Sequence, residues 1–363
     1  MEEENIYETA LGLIPGIGDV LIKHLISYCG SAKKVFLTPR GKLKKVPGIG
    51  PKIANTILEA AVLDKAKHEI TLAKKYGISI LFYTSPKYPK RLKNILNAPA
   101  TLYYKGSANL NSAKVLSIVG TRKATEYGKN FLEKLIGDLQ LYKDLLIISG
   151  LAYGIDVYAH KLCLKKQIPT VGVMANGLDI VYPYEHKEVA LQMTTTGGLL
   201  SENRLGTKPD APKFPERNRI IAGMSDAVLI VEAAKTGGAL ITAEIANSYD
   251  IDVFALPGSI NQRYSEGCNK LIKEHKAHLI TSSEDIVKMM NWDIETKNVR
   301  QKLTIALNKD EQTIYELLVN KNLQIDELSY RAQIPIGKIP SVLLEMEIKG
   351  IVKALPGQKY CLI

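Results

Sequence analysis

Four short stretches of the chain hold the residue types that bind charged ligands. The first is Gly120-Thr121-Arg122-Lys123, which follows the apolar run Val115–Val119 and precedes a helical segment starting near Thr125. A glycine, a hydroxyl and a guanidinium between a strand end and a helix N-terminus make a phosphate cradle, because free amides and positive charge converge there. This is not a nucleotide-kinase loop, since G-x-x-x-x-G-K-[ST] occurs nowhere in the chain. It is not a dinucleotide fingerprint either, since the G-x-G pairs Gly16/Gly18 and Gly48/Gly50 reach no third glycine. The second stretch is Ser149-Gly150-Leu151-Ala152-Tyr153-Gly154-Ile155-Asp156, with His160 one turn on. Gly150 and Gly154 permit a tight loop beside a ligand, and Asp156 and His160 share a helix face. No nucleophile lies nearby in sequence, so an aspartate favoured by the helix dipole and holding a histidine is preferred over an acid/base pair.

The third stretch is Lys213-Phe214-Pro215-Glu216-Arg217-Asn218-Arg219. Arg217 and Arg219 do not share a helical face, so one of them is expected in the turn before the helix. The set suits single-stranded nucleic acid, with guanidinium groups on phosphates and Phe214 as a stacking plane for a base. A structural Arg/Glu network with Phe214 in the core is the alternative. The fourth is Thr236-Gly237-Gly238-Ala239, opening a helix with Thr242 and Glu244, again where an anion could dock.

These loops need a scaffold, and the pattern between them supplies one. Ile78–Phe82, Thr101–Tyr104, Val115–Val119, Leu145–Ile148, Thr170–Met174, Leu199–Ser201, Ala227–Val231, Val253–Leu256 and His278–Ile280 are short apolar runs, several β-branched. Helix-length segments such as Lys129–Leu141, Ile155–Lys165, Gly238–Tyr249 and Cys268–Glu274 separate most of them. The alternation predicts an α/β domain over 66–290, a parallel sheet covered by helices, with ligands at the carboxyl ends of its strands. From 303 to 363 the helical segments Asp310–Val319, Gln324–Arg331 and Lys338–Lys349 precede a hairpin, Ile351–Ala354, Pro356-Gly357 and Lys359–Leu362. That order predicts a small winged-helix domain after a polar linker over 291–302, open to contact with either DNA or protein.

The first 65 residues repeat themselves. Ile14-Pro15-Gly16-Ile17-Gly18 precedes apolar Leu21, Ile22, Leu25 and Ile26; Val46-Pro47-Gly48-Ile49-Gly50 precedes Ile53, Ala54, Ile57 and Leu58. Two copies predict a duplicated unit whose halves bury each other's faces. The pattern resembles the tandem helix-hairpin-helix modules that bind DNA without sequence preference. Glycines there let the backbone approach a phosphate, so Gly16, Gly18, Gly48, Gly50 and the cation Lys52 form a second expected DNA site, with Lys23, Lys42, Lys44 and Lys45 nearby. A purely structural helical bundle is the competing reading.

Charge follows the same division. The chain carries 48 Lys and Arg against 37 Asp and Glu, a net charge of +11, and residues 1–110 hold 17 of the cations against 8 of the anions. A basic field of this kind attracts polyanions. With 46% hydrophobic and 23% charged residues the chain is globular rather than disordered. No apolar run reaches membrane-spanning length, and Met1–Glu4 is acidic where a secretory signal is basic. The four cysteines include no C-x-x-C pair. A cytoplasmic protein with no metal, cofactor or membrane partner is expected.

Six ordered blocks carry a stronger resemblance: Ser117-Ile118-Val119-Gly120-Thr121-Arg122, Ser149-Gly150-Leu151-Ala152-x-Gly154-Ile155-Asp156-x-x-Ala159-His160, Leu178-Asp179-x-x-Tyr182-Pro183, Phe214-Pro215-x-Arg217-Asn218-Arg219, Leu256-Pro257-Gly258 and Ser265-x-Gly267-x-Asn269. They resemble the DNA-processing protein A (DprA, or Smf) family. The resemblance implies an extended Rossmann-like domain, flanked by the hairpin and winged-helix domains. It also implies a non-enzymatic homodimer that binds and shields incoming single-stranded DNA in natural transformation and loads the recombinase RecA. On that basis Thr121, Arg122, Lys213, Phe214, Arg217, Asn218 and Arg219 line the DNA site, and Gly120, Gly150 and Gly154 supply amides. The sequence departs from the family at Tyr153, where an arginine is usual, at Met174–Gly177 and at Tyr249–Ile251. A looser likeness is to the lysine-decarboxylase-like phosphoribohydrolases, nucleotide-cleaving enzymes in which an arginine holds phosphate and a glutamate, here Glu244, assists cleavage.

Overall fold

The structure is a computed structural model, and it describes residues 2–292, 307–319, 323–349, 351–355 and 359–362. The chain divides into two compact units, 1–295 and 296–363. In the first, all nine apolar runs form strands of one sheet: β1 (Ser79–Phe82), β2 (Thr101–Gly106), β3 (Lys114–Val119), β4 (Leu145–Ser149), β5 (Thr170–Val173), β6 (Gly198–Ser201), β7 (Ala227–Ile230), β8 (Asp252–Ala255) and β9 (His278–Leu279). Their order is β1-β2-β6-β5-β4-β3-β7-β8-β9. From β6 to β9 every pairing is parallel, and β2 is antiparallel to both its neighbours.

Alternation along β3 shows why the sheet is buried on both faces. Val115 and Val119 join the apolar layer under α11 (Lys213–Gly223), α12 (Gly238–Ser248) and α13 (Glu266–Lys273). Leu116 and Ile118 point the other way, to α8 (Glu126–Leu139), α9 (Ile155–Lys165) and α14 (Ser283–Met289). The remaining helices of this part are α7 (Lys90–Lys93) and α10 (Lys187–Thr196).

The N-terminal helices are α1 (Glu2–Leu13), α2 (Asp19–Cys29), α3 (Ala32–Leu37), α4 (Arg40–Leu43), α5 (Pro51–Ile57) and α6 (Ala60–Lys75). Both Pro-Gly-Ile-Gly turns feed one apolar core, with Ile17, Ile22 and Leu25 from the first copy beside Ile49, Ala54 and Ile57 from the second. The turns repeat in backbone as well as sequence, for Gly16 has φ +81° and Gly48 φ +85°. Helix α6 runs across residue 65, and Phe82 and Ala100 of the sheet region belong to the same core, so the helices and the sheet fold as one unit.

The second unit has α15 (Lys309–Leu318), α16 (Ile325–Ala332), α17 (Ile339–Ile348) and a small sheet of order β10-β12-β11, made of Leu323–Gln324, Lys359–Leu362 and Val352–Leu355. Asn308 caps α15 by accepting from the Asp310 and Glu311 amides, while Glu311 accepts from the Asn308 amide. Of the expected linker, residues 293–302 lie outside the described residues, as does the Pro356-Gly357 turn. Trp292 does not behave as linker: its indole is buried among Leu135, Ile286 and the other residues of the apolar layer beneath α8 and α14.

Candidate functional site

The sheet order locates the site. The chain winds outward from β3 in both directions, through β4 and β5 on one side and β7 and β8 on the other, so the loops after β3 and β7 diverge and leave a crevice. A cavity of about 790 Å³ occupies it. It is lined by Gly120, Thr121 and Arg122 after β3, by Thr236 to Gly238 after β7, and by Phe214, Arg217 and Asn218 of α11. Three of the four stretches singled out in the sequence thus meet at one place. Of the second stretch, only Ala152 and Asp156 line the cavity.

The floor is a closed polar network. Arg217 is only 5% exposed, its Nη1 donates to the carbonyls of Gly150 (2.9 Å) and Val173, and its Nε donates to Asn218 Oδ1 (3.2 Å). Burial draws its pKa down to about 10, against the pull of Asp156. Held through Nη1 and Nε, the guanidinium braces the β4 and β5 loops rather than standing free, while its Nη2 has no hydrogen bond to any described residue where Arg217 lines the cavity. Gly150 fits the same network: its amide donates to Asp156 Oδ2 (3.1 Å), and a Cβ on it would lie 2.5 Å from Arg217 Nη2 and 2.7 Å from Asp156 Oδ2. Burial raises the Asp156 pKa, opposed by Arg217 and by the Gly150 and Ala152 amides. Gly154 has φ +77°, and a Cβ there would fall on the Thr121 carbonyl oxygen. Both glycines therefore serve close packing of the loops. Asp156 does not hold His160, whose Nδ1 meets Thr170 Oγ1 at 2.7 Å instead.

The rim is different. Arg122 and Lys123 are exposed, and neither side chain has a hydrogen bond or ion pair with any described residue. Phe214 packs against Tyr182, ring centroids 5.7 Å apart at 49°, and both rings line the cavity. Helix α12 starts at Gly238 after Gly237, and both glycines line the cavity with open space beside them. Cations, aromatic faces and a helix N-terminus around one opening can hold phosphates and stack bases. Tyr182, Lys123 and Tyr264 line the cavity without having been assigned a role from sequence. For Tyr182 the signal was present in the Tyr-Pro block, but nothing local says that its ring meets Phe214.

Other expected residues lie elsewhere. Lys213 is the first residue of α11 and is not among the lining residues. Arg217 and Arg219 both sit within α11 rather than one in the turn before it. Arg219 turns away from the cavity and pairs with Glu202 (2.5 Å), with Asp19 at 3.8 Å. Glu244, the carboxylate a nucleotide-cleaving site needs, is exposed on α12 and also outside the lining.

Asp19 separates the two hairpins. It follows Gly18 at the start of α2, where its carboxylate sits at the positive end of the helix and accepts from the Ala100 amide (2.7 Å). Lys23 of the same helix donates to the Ala98 carbonyl (2.8 Å), so the first hairpin is docked on the sheet region and Gly18 lines a small cavity beside Asp19 and Glu202. The second hairpin has Pro51 and Lys52 in place of that carboxylate; Gly48, Lys52 and the nearby Lys42, Lys44 and Lys45 are exposed, and Gly50 half-buried.

Comparison with known proteins agrees with this layout. A family model described as DNA recombination-mediator protein A matches residues 79–291, and one for the DprA winged helix domain matches residues 300–358. The Smf protein of Synechocystis is 30% identical over 98% of this chain and 98% of its own length. The solved structure of DNA processing protein A from Streptococcus pneumoniae has a TM-score of 0.67 at 31% identity, covering 79% of this chain and 98% of that one. A structure describing the single-stranded DNA binding mode of DNA processing protein A from Helicobacter pylori has a TM-score of 0.53 at 28% identity, covering 59% and 95%. The chain belongs to the DNA-processing protein A (DprA/Smf) family.

Proposed function

We infer that the cavity at the strand tips binds an unpaired DNA strand without chemical turnover. In this reading the protein shields incoming DNA in natural transformation and, as a homodimer, passes it to RecA. One observation carries the reading: Arg122 and Lys123, exposed and without a side-chain partner among the described residues, line a 790 Å³ cavity together with the Phe214–Tyr182 ring pair. Unpaired cations favour a polyanion, and exposed rings favour bases freed from a duplex. The related Helicobacter pylori protein, described as binding single-stranded DNA, supports the same ligand. Gly48, Gly50 and Lys52 form the secondary site, on the hairpin that carries the exposed lysines, although Gly16 and Gly18 of the first hairpin are exposed as well.

Titration of oligo-dT and of a duplex at two salt concentrations tests the reading. Tighter binding of the single strand is expected, with log affinity falling against log salt by about 0.7 per phosphate neutralised. Equal binding of duplex, or affinity indifferent to salt, overturns it. RecA filament growth on the same strand, with and without the protein, tests the hand-over.

A further inference from the structure

Beyond the cavity, the loops after β4 and β5 carry three tyrosines that solvent reaches: Tyr153 is 43% exposed, Tyr182 47% and Tyr184 71%. The strand order β5-β4-β3 puts these loops beside the cavity along the same edge of the sheet. Tyr182 links the two regions, since its ring packs on Phe214 inside the cavity. We propose that Tyr182, Tyr153 and Tyr184 form an aromatic track on which further bases of the bound single strand stack as it leaves the cavity. The proposal rests on the single-strand reading of the cavity and extends it to a separate set of residues.

The rings are held as a platform needs. His186 is buried, and its Nδ1 meets the Leu151 carbonyl at 2.8 Å, which pins the segment after β5 to the loop after β4. The Tyr153 ring stands edge-on to His186, centroids 4.9 Å apart, and its hydroxyl donates to Glu185 (2.8 Å). Lys187 Nζ lies 5.5 Å from the centre of the Tyr184 ring. Ordering these side chains before the ligand arrives lowers the entropic cost of binding. None of the three rings lies in an apolar core cluster, and each leaves a large part of its surface to solvent. Glu185 and Glu188 are exposed on the same segment and repel phosphate. The track therefore takes the uncharged base faces, while Arg122 and Lys123 carry the phosphate contacts.

Two probes separate the contributions: a dT strand of about 16 nucleotides, and an abasic strand of the same length that offers phosphates without bases. The intact protein is expected to prefer dT by tenfold or more, on the order of what base–aromatic stacking supplies. Tyr153→Ala with Tyr184→Ala should lower that preference by about threefold or more, leaving the share that Phe214 and Tyr182 supply, with abasic binding and the salt dependence unchanged. Tyr184→Phe should retain it, because stacking needs the ring and not the hydroxyl. Equal binding of dT and abasic strands by the intact protein, or an undiminished preference in the double variant, overturns the track. If the preference is undiminished in the double variant and Arg122→Ala still weakens both probes, the cavity reading survives alone; equal binding of the two strands would also remove the base stacking assigned to Phe214 and Tyr182. If the intact protein binds neither strand, both readings fall.

Discussion

Arg122 and Arg217 stand at the same end of one sheet, close enough that the charge of Arg122 helps draw down the pKa of Arg217. One is exposed with no partner among the described residues; the other is buried with its Nη1 on two backbone carbonyls and its Nε on a neighbouring amide oxygen. The floor of the cavity and its rim thus use the same side chain for opposite purposes. A buried guanidinium bonded to carbonyls is a strut, since moving it toward a phosphate would break the bonds that hold the loops together. An exposed one keeps its donors for whatever arrives. Charge near a pocket indicates a ligand only where the fold has left that charge unspent.

The largest effect expected from this contrast is on stability. Arg217→Ala leaves the Gly150 and Val173 carbonyls without their donor and Asp156 without its nearby cation. A loss of about 3–5 kcal/mol is expected, the range for removing one partner from a buried charged network, measured by urea unfolding. If the variant instead unfolds like the parent and only loses DNA affinity, floor and rim are not distinct.

The floor should also respond to acid. Thr170 donates its hydroxyl hydrogen to the Ile147 carbonyl, so His160 Nδ1 must be the donor to Thr170 Oγ1, and Nε2 is left as a buried lone pair without a partner. Burial, with smaller pushes from His186 and Arg217, lowers the His160 pKa to about 3. An unfolded histidine takes its proton near 6.5. Between these values the unfolded chain binds one more proton than the folded one, so stability rises with pH and is lost as the pH drops, by about 1.4 kcal/mol per unit. Unfolding free energies at pH 6.5 and pH 5 should differ by about 2 kcal/mol from this group. His160→Gln should flatten that part of the profile; an unchanged slope would show that the imidazole is not buried neutral.

Much of this arrangement was legible in the sequence. All nine apolar runs became strands because β-branched runs broken by helix-length segments have few other ways to bury themselves. Strand-end glycines pointed to the edge of the sheet where the cavity lies, and the two Pro-Gly-Ile-Gly turns announced a duplication that the matching backbone of Gly16 and Gly48 repeats. What stayed hidden was which cation is spent. Arg217 bonds to Gly150 and Val173, 67 and 44 residues away, and Arg219 reaches Glu202 and Asp19. Such pairings depend on how strands are ordered, which no local pattern encodes. Trp292 was misread for the same reason: polar neighbours in sequence say nothing of the apolar layer it reaches.

The rim should show the converse of Arg217. Arg122→Ala removes a side chain that holds nothing in place, so stability should stay within about 0.5 kcal/mol of the parent. Single-strand affinity should fall by roughly tenfold for all sequences alike, and the salt slope by about 0.7, as for one lost phosphate contact. A sequence-selective loss would mean that Arg122 reads a base edge.

The two hairpins repeat the comparison on a smaller scale. Aligning Gly18 with Gly50 sets Asp19 against Pro51 and Val20 against Lys52. Lys52→Ala should weaken duplex binding about threefold at low salt and lower the slope by about 0.9, one duplex phosphate contact. Restoring the missing cation in the other copy, Val20→Lys, should gain far less. Asp19 still sits at the start of α2 with its charge engaged by the Ala100 amide, and α2 stays fastened to the sheet region through Lys23. A gain from Val20→Lys as large as the loss from Lys52→Ala would mean that the repeat alone makes the site and docking does not matter. An unequal outcome, loss at Lys52 without gain at Val20, would mean that the sheet has claimed one copy as a brace and left the other for DNA.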